Sequence, residues 1–322
     1  MCPFRDALLA PPPQLVAAVL IHLNLFGAAT PSGEAFRRCV AGQAHALQLV
    51  GYTRHPDPSE AWLQQADLRS PGSFHPAGGQ AGPVIWISFA PIWLLAPFLA
   101  QLAADHPARL AGLGTVIACS SSSAITKRFA VNQHDRELVA RLLAAEELLL
   151  ATTSGLGVGC RILRPTLIYG RVGPYADRNL SRLVQLMRRL PVLPLPCRSG
   201  FRQPIHASQL AAVAWHLAQQ AAGPGWAADL PERIGLGGDS ELSYVAMLKA
   251  LQQALPPGDP ARRCRLLQLP PRLFYAAALP LLLHSPRAFE ALLRMGSDLS
   301  GFTPSHCLLD TSPQRFPLLP LL

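Results

Sequence analysis

Ser120-Ser-Ser-Ser123 places four hydroxyls in a row, and Thr126-Lys127 follows closely. A serine hydroxyl can hydrogen-bond a reacting oxygen, and a lysine ammonium beside it supplies positive charge or a proton. The same run also suits a plain turn, and Lys127 also suits a solvated surface position. Gly27 and Gly33 stand six residues apart, between an apolar run and a helical segment. That placement suits a loop that turns tightly beneath a dinucleotide phosphate and lets helix and strand pack closely, or a structural turn with no ligand. A second apolar run ends in Tyr52-Thr53-Arg54, with no acid to accept ribose hydroxyls. A guanidinium there pairs a 2′-phosphate, which leans toward NADP over NAD; the alternative is a solvated arginine.

The elements that would position these groups follow from the pattern. Met1 to Gln14 is a proline-rich leader, expected to be disordered. Strands are expected at Val19 to Leu25, Leu47 to Tyr52, Trp62 to Leu68, Pro83 to Phe89, Gly114 to Cys119 and Gly157 to Ile162. The last ends near Pro165, which cannot donate a ladder hydrogen bond. Helices are expected at Glu34 to Gly42, Ile92 to Ala104, Asp135 to Leu150, Leu180 to Leu190 and Ala207 to Ala222. Ile234 to Gly238 reads as a strand and turn, and Ser243 as the N-cap of a helix through Leu255. Alternating strands and helices of these lengths imply βαβ units and a doubly wound parallel sheet. The expected organisation is a Rossmann-like α/β core over 15–170, then a smaller substrate lobe over 171–322, interleaved with the end of the core. The tail from Thr311 is expected to be irregular.

Half of the 322 residues are hydrophobic and 15% are charged, which excludes a disordered chain. The net charge of +9 comes mainly from dispersed arginines. It favours anionic small ligands or an anionic membrane surface over nucleic acid. Seven scattered cysteines without C-x-x-C spacing fit reduced thiols in the cytoplasm, not a zinc or disulfide framework. No apolar run reaches the ~18 residues of a membrane span. Leu15 to Phe26 has the length of a signal core, but its leading segment, with Arg5 offset by Asp6 and three prolines, is a poor n-region, so a buried strand is the better reading. Leu273 to Leu283 is apolar all round and is expected to be buried or to lie against something apolar, which leaves peripheral membrane contact open. The oligomeric state is not legible.

Leu163-Arg-Pro-Thr-Leu-Ile-Tyr-Gly170 resembles the L-R-P-x-x-[VI]-Y-G signature of the extended short-chain dehydrogenases, the epimerase/dehydratase family. The order of the serine run with Thr126-Lys127, Arg-Pro-Thr-Leu-Ile-Tyr-Gly and Arg202-Gln-Pro-Ile-His206 resembles a divergent branch of it. The resemblance implies NAD(P) as cofactor and a nucleotide-linked sugar as substrate. It matches Gly27, Thr30 and Gly33 to G-x-x-G-x-x-G, with Thr30 in place of the middle glycine and narrowing the approach to the pyrophosphate. It places Asp67 near the adenine, although an aspartate there also suits an ordinary loop. It gives Ser122, or alternatively Ser123, the substrate hydroxyl, and sets Asn179 and Arg202 on the diphosphate. His206 is expected to be structural. Leu143-Ala-Ala-Glu-Glu-Leu148 fixes the register of the family's Y-x-x-x-K helix and puts Leu138 and Leu142 at the tyrosine and lysine positions. The expected function is an atypical epimerase, dehydratase or reductase in which Lys127 supplies the missing cation. The alternative is a non-catalytic nucleotide-binding protein of assembly or regulation. Leu138 and Leu142 are expected on one helix face, toward the crevice beside Ser122.

Overall fold

A computed structural model describes residues 20–42, 47–76, 82–222 and 230–321. The expected leader and the first five residues of the signal-like segment, through Val19, lie outside them. The first half runs β1 (Ile21–Phe26), α1 (Pro31–Ala41), β2 (Leu47–Thr53), β3 (Leu63–Gln65), β4 (Val84–Ser88), α2 (Ile92–Asp105), β5 (Leu113–Cys119), α3 (Ser123–Thr126), α4 (Gln133–Gly155) and β6 (Gly159–Pro165). The short strands β7 (Ile168–Tyr169), β8 (Arg171–Val172) and β9 (Tyr175–Ala176) lead to α5 (Asn179–Arg189). Then come β10 (Val192–Pro196), β11 (Phe201–Arg202), β12 (Ile205–His206), α6 (Ala207–Ala222), β13 (Arg233–Gly237), β14 (Leu242–Ser243), α7 (Tyr244–Ala254) and β15 (Arg265–Leu269). The chain closes with α8 (Pro271–Ala278), α9 (Pro280–His284), α10 (Pro286–Leu293), β16 (Thr303–Pro304) and α11 (Ser305–Leu309).

Eight strands form one sheet in the order β16-β13-β6-β5-β4-β1-β2-β3, and every pairing in it is parallel. This is an α/β Rossmann-like fold. Successive side chains of a strand point to opposite faces. Leu23 and Leu25 of β1 meet Phe36 and Val40 of α1 and Leu210 and Leu217 of α6, whereas Phe26 joins Leu95 and Phe98 of α2 and Leu142 and Leu149 of α4. All six residues of β1 are therefore buried, as expected of a strand covered by helices on both faces. A third cluster, with Leu180, Val184, Leu195, Leu248 and Leu251, is the core of a smaller lobe around α5, β10 and α7. Because β13 and β16 complete the main sheet, the second half of the chain is woven into the core.

Some boundaries differ from the sequence reading. Helix α1 starts at Pro31, because Thr30 is its N-cap. Strand β3 keeps only Leu63–Gln65 of the expected Trp62 to Leu68. The largest difference is at Leu273 to Leu283, which is two helices and of which, among the described side chains, Phe274 is buried. It forms α8 and then α9, which begins at Pro280, and Leu273, Leu279 and Leu283 are exposed. Proline lacks the N–H that would continue the first helix. Beyond Thr311 there is no helix or strand among the described residues, yet the tail is well tied. Gln314 and Phe316 donate backbone N–H groups to Asp239 and Ser240, and Leu318 donates to the Tyr169 hydroxyl at 2.9 Å.

Candidate functional site

The site is built outward from the end of β1. Gly27 has φ +75, and a Cβ there would lie 2.6 Å from Ala90 N and 2.7 Å from Phe89 C. A Cβ on Gly33 would lie 2.4 Å from the Gly27 carbonyl oxygen. Both glycines are thus demanded by chain packing, as a strand–turn–helix of this tightness requires. Thr30 Oγ1 donates to Gly27 O at 2.7 Å and accepts from Gly33 N at 3.0 Å. Pro31 has no N–H at all. Two of the donors that a helix N-terminus ordinarily offers an anion are therefore removed or engaged.

The sheet edge beyond this loop holds a cavity of about 480 Å3. It is lined by 29–32 after β1, Phe89 after β4, Cys119 at the end of β5, Ile168, and 174–179. Its size falls in the range of small-molecule sites, roughly 300–1,000 Å3. It also spans the point between β1 and β4 where the strand order reverses, the usual ligand crevice of an open α/β sheet. Burial pushes the Cys119 thiol up to about 12, so it lines the cavity as a neutral group and not as a nucleophile. Tyr175 also lines it, its phenol shifted upward by burial and by the charges of Glu34, Glu60 and Asp57, which keeps it a protonated donor.

Thr30 and Asn179 thus border one cavity, but the other candidates do not. Asn179 opens α5, where Asp177 Oδ1 accepts the N–H groups of Asn179 at 2.8 Å and Leu180 at 2.7 Å. Asp177 also accepts from Gly170 N. The sequence carried a signal for this residue, an aspartate just ahead of an amphipathic run. Arg54 follows β2, exposed, and makes no hydrogen bond or ion pair among the described residues. Asp67 follows β3 and accepts from Arg69 N at 3.0 Å. Arg202 is buried. It donates to Phe201 O and Ser297 O at 2.7 Å and to Arg294 O at 2.6 Å, and its guanidinium stacks 5.3 Å from the Tyr244 ring. His206 Nδ1 lies 2.6 Å from Ser208 Oγ, and burial lowers its pKa.

The serines divide their work. Ser120 Oγ donates to Glu146 Oε1 at 2.5 Å, and Ser121 Oγ accepts from Ser123 N at 3.1 Å. Ser122 N–H donates to Pro165 O at 2.9 Å, and its hydroxyl makes no hydrogen bond among the described residues. Glu146 is fully buried and accepts Arg164 Nε at 3.0 Å, which bolts α4 to β6. Lys127 Nζ is bonded to Asp135 Oδ1 at 2.8 Å, not to Ser122, and Arg294 Nη1 approaches Asp135 Oδ2 at 2.7 Å. Leu138 and Leu142 lie on one side of α4, but neither lines the cavity. Both pack into the apolar cluster shared with α2, Leu142 as a fully buried member.

Burial pushes the Asp135 carboxyl up, but hydrogen bonds from Lys127 and Asn132 and the charges of Lys127 and Arg294 outweigh it and hold the pKa well below its usual value. Asp239 is lowered in the same sense: burial is outweighed by hydrogen bonds from Gln314, Ser305 and His306. Both groups refuse protons that the unfolded chain accepts below about pH 4. Their contribution is complete above that value and is lost as pH falls through the folded values. Urea midpoints are expected to drop between about pH 6 and about pH 3, with a smaller drop in Asp135→Asn.

The parallel sheet, the glycine turn and the cavity at the reversal of strand order define a Rossmann-like α/β fold with a crevice at its switch point. Comparison with protein-family models finds no match, and sequence comparison with curated proteins finds none. Solved structures are similar in fold. A UDP-glucuronic acid 4-epimerase from Bacillus cereus in complex with NAD has TM-score 0.56 and 12% identity, over 91% of this chain and 92% of that chain. A UDP-N-acetylglucosamine 4-epimerase from Bacillus cereus has TM-score 0.55 and 14% identity, over 91% and 94%. An NAD-dependent NDP-hexosamine 5,6-dehydratase, TunA, has TM-score 0.51 and 15% identity, over 90% and 96%. The chain therefore resembles epimerase/dehydratase structures across most of its length, as a likeness of fold.

Proposed function

We propose that the chain binds a nicotinamide dinucleotide in the 480 Å3 cavity and a nucleotide-linked sugar beside it, as an atypical epimerase, dehydratase or reductase. The observation that carries this reading is the position of the cavity, beside the glycine turn at the ends of β1, β4 and β5, where the strand order reverses. At the diphosphate end the turn and the first turn of α1 line the cavity, with the Gly33 N–H held by Thr30 and none at Pro31. Leu138 and Leu142, at the positions the resemblance gives the tyrosine and lysine, do not line it and pack away from it against α2. A bound nicotinamide supplies or accepts a hydride. The chain's own part is to position: the Ser122 hydroxyl receives a substrate hydroxyl, and Asn179 receives the diphosphate. We assign Arg202 to holding the segment around Arg294 to Ser297 instead of the diphosphate, since its guanidinium already donates to three carbonyls. Arg54 and Asp67, at the ends of β2 and β3, are assigned to the adenosine side, with NADP preferred.

Thr30 limits affinity in this scheme, because its hydroxyl engages the Gly33 N–H. Thr30→Gly frees that donor, and glycine is nearly as good an N-cap as threonine. The variant is expected to bind NADP about tenfold more tightly in a calorimetric titration, the worth of one added hydrogen bond to a charged group. Unchanged or weaker affinity would remove this role.

The Lys127–Asp135 pair favours a second reading, a non-catalytic binding protein of the same fold. Turnover of nucleotide sugars by Lys127→Ala separates the two. If Lys127 assists proton transfer, the rate is expected to fall by about two to four orders of magnitude with cofactor binding retained. Cofactor binding without turnover in the unaltered chain establishes the second reading.

A further inference from the structure

Two segments far apart in the sequence carry exposed large apolar side chains and are tied together through α10. Phe129 and Val131, just past the serine loop, are 91% and 81% exposed, with Ile125 exposed nearby. Leu273 and Leu279 are more than half exposed and Leu283 is 87% exposed, on α8 and α9. Helix α10 joins the two segments. It packs on α8 and α9, and its Glu290 accepts the N–H of Val131 at 3.2 Å and of Asn132 at 2.9 Å. Large apolar side chains left in water on neighbouring segments mark an interaction surface.

The exposed charges around these segments are mostly arginines, with Glu137 as an exposed acid beside Arg136. Arg128 is exposed, its guanidinium 5.9 Å from the Phe129 ring. Arg136 and Arg272 are exposed, Arg136 bonded to Val131 O and Arg272 next to Leu273 on α8. Two further acids are turned inward. Asp135 is fully buried between Lys127 and Arg294, and Glu290 is held by Asn132 and Arg294. A second copy of this face would bring mostly like charges together. A surface of phosphates over hydrocarbon complements it.

We propose that this face docks the protein on an anionic phospholipid surface. Phe129, Val131 and Leu283 enter the boundary between headgroups and acyl chains, and Arg128 and Arg272 pair with lipid phosphates. The proposal stands on the surface alone and does not require a dinucleotide to be bound.

The test is co-sedimentation of the full chain with vesicles of phosphatidylcholine alone and of phosphatidylcholine mixed with phosphatidylglycerol. The chain is expected to pellet with the mixed vesicles, and less so as salt is raised. Phe129→Ser with Leu283→Ser is expected to lower the partition coefficient about tenfold or more. Arg128→Glu with Arg272→Glu is expected to remove the preference for phosphatidylglycerol. Leu319→Ser, at an exposed leucine of the C-terminal tail, is expected to change nothing. All the altered side chains are exposed, so circular dichroism should match the unaltered chain. Equal pelleting with both vesicles, or an unchanged partition in the paired serine variant, would overturn the proposal. So would a wild-type dimer that ignores vesicles and dissociates in that variant, which would assign the face to a second copy.

Discussion

Glu146→Ala is expected to destabilise the protein by about 3–5 kcal/mol, the usual result of removing one partner from a buried ion pair. Glu146 is fully buried; Arg164, 13% exposed, and Ser120 both donate to its carboxylate, and Arg233 approaches at 3.3 Å. Alanine leaves the Arg164 charge in a poorly hydrated place and releases the Ser120 hydroxyl. The neighbouring Glu147 is 72% exposed, and its pairing with Arg233 is worth little. Glu147→Ala is therefore the control, expected within about 0.5 kcal/mol of the unaltered chain. Urea unfolding monitored by circular dichroism measures both. A Glu146→Ala loss below about 1 kcal/mol would show that the pair does not hold α4 to β6.

Gly27→Val is expected to cost several kcal/mol and to abolish dinucleotide binding. The left-handed φ costs a β-branched residue about 1–2 kcal/mol before any contact is considered. The added Cβ then meets backbone atoms of Phe89 and Ala90, which cannot rotate aside. Overpacking of this kind typically costs a further 1–3 kcal/mol or so. Gly42 is a control: a Cβ there meets nothing within 4 Å and φ is −83. A Gly27→Val chain that keeps both its urea midpoint and its dinucleotide affinity would contradict the strand–turn–helix geometry assigned to this loop.

Much of the fold was legible because it is written locally. The branched run before Gly27, the Ser243 cap and the proline at the end of β6 each act through neighbours in sequence. What escaped was decided across long separations. Lys127 looked free to serve Ser122 because its partner Asp135 owes its burial partly to Arg294, far along the chain. Arg202 looked like a diphosphate clamp because nothing in the sequence shows that the carbonyls of Arg294 and Ser297 come within reach of it. Leu273 to Leu283 reads as buried or as lying against something apolar, because apolar content alone does not say what covers it. The spacing of Leu138 and Leu142 placed both on one side of α4, but their contacts with α2 depend on how the helices pair.

We propose that the crevice at the end of β1 holds a nicotinamide dinucleotide although Leu138 and Leu142 stand at the positions the resemblance gives the tyrosine and lysine. Calorimetric titration of NADP and of NAD into the folded chain, after any co-purified dinucleotide has been released and measured, tests it most directly. Saturable binding of one dinucleotide per chain, tighter for NADP than for NAD, is the predicted result. A folded chain that releases no dinucleotide and gives no binding heat with either would contradict it.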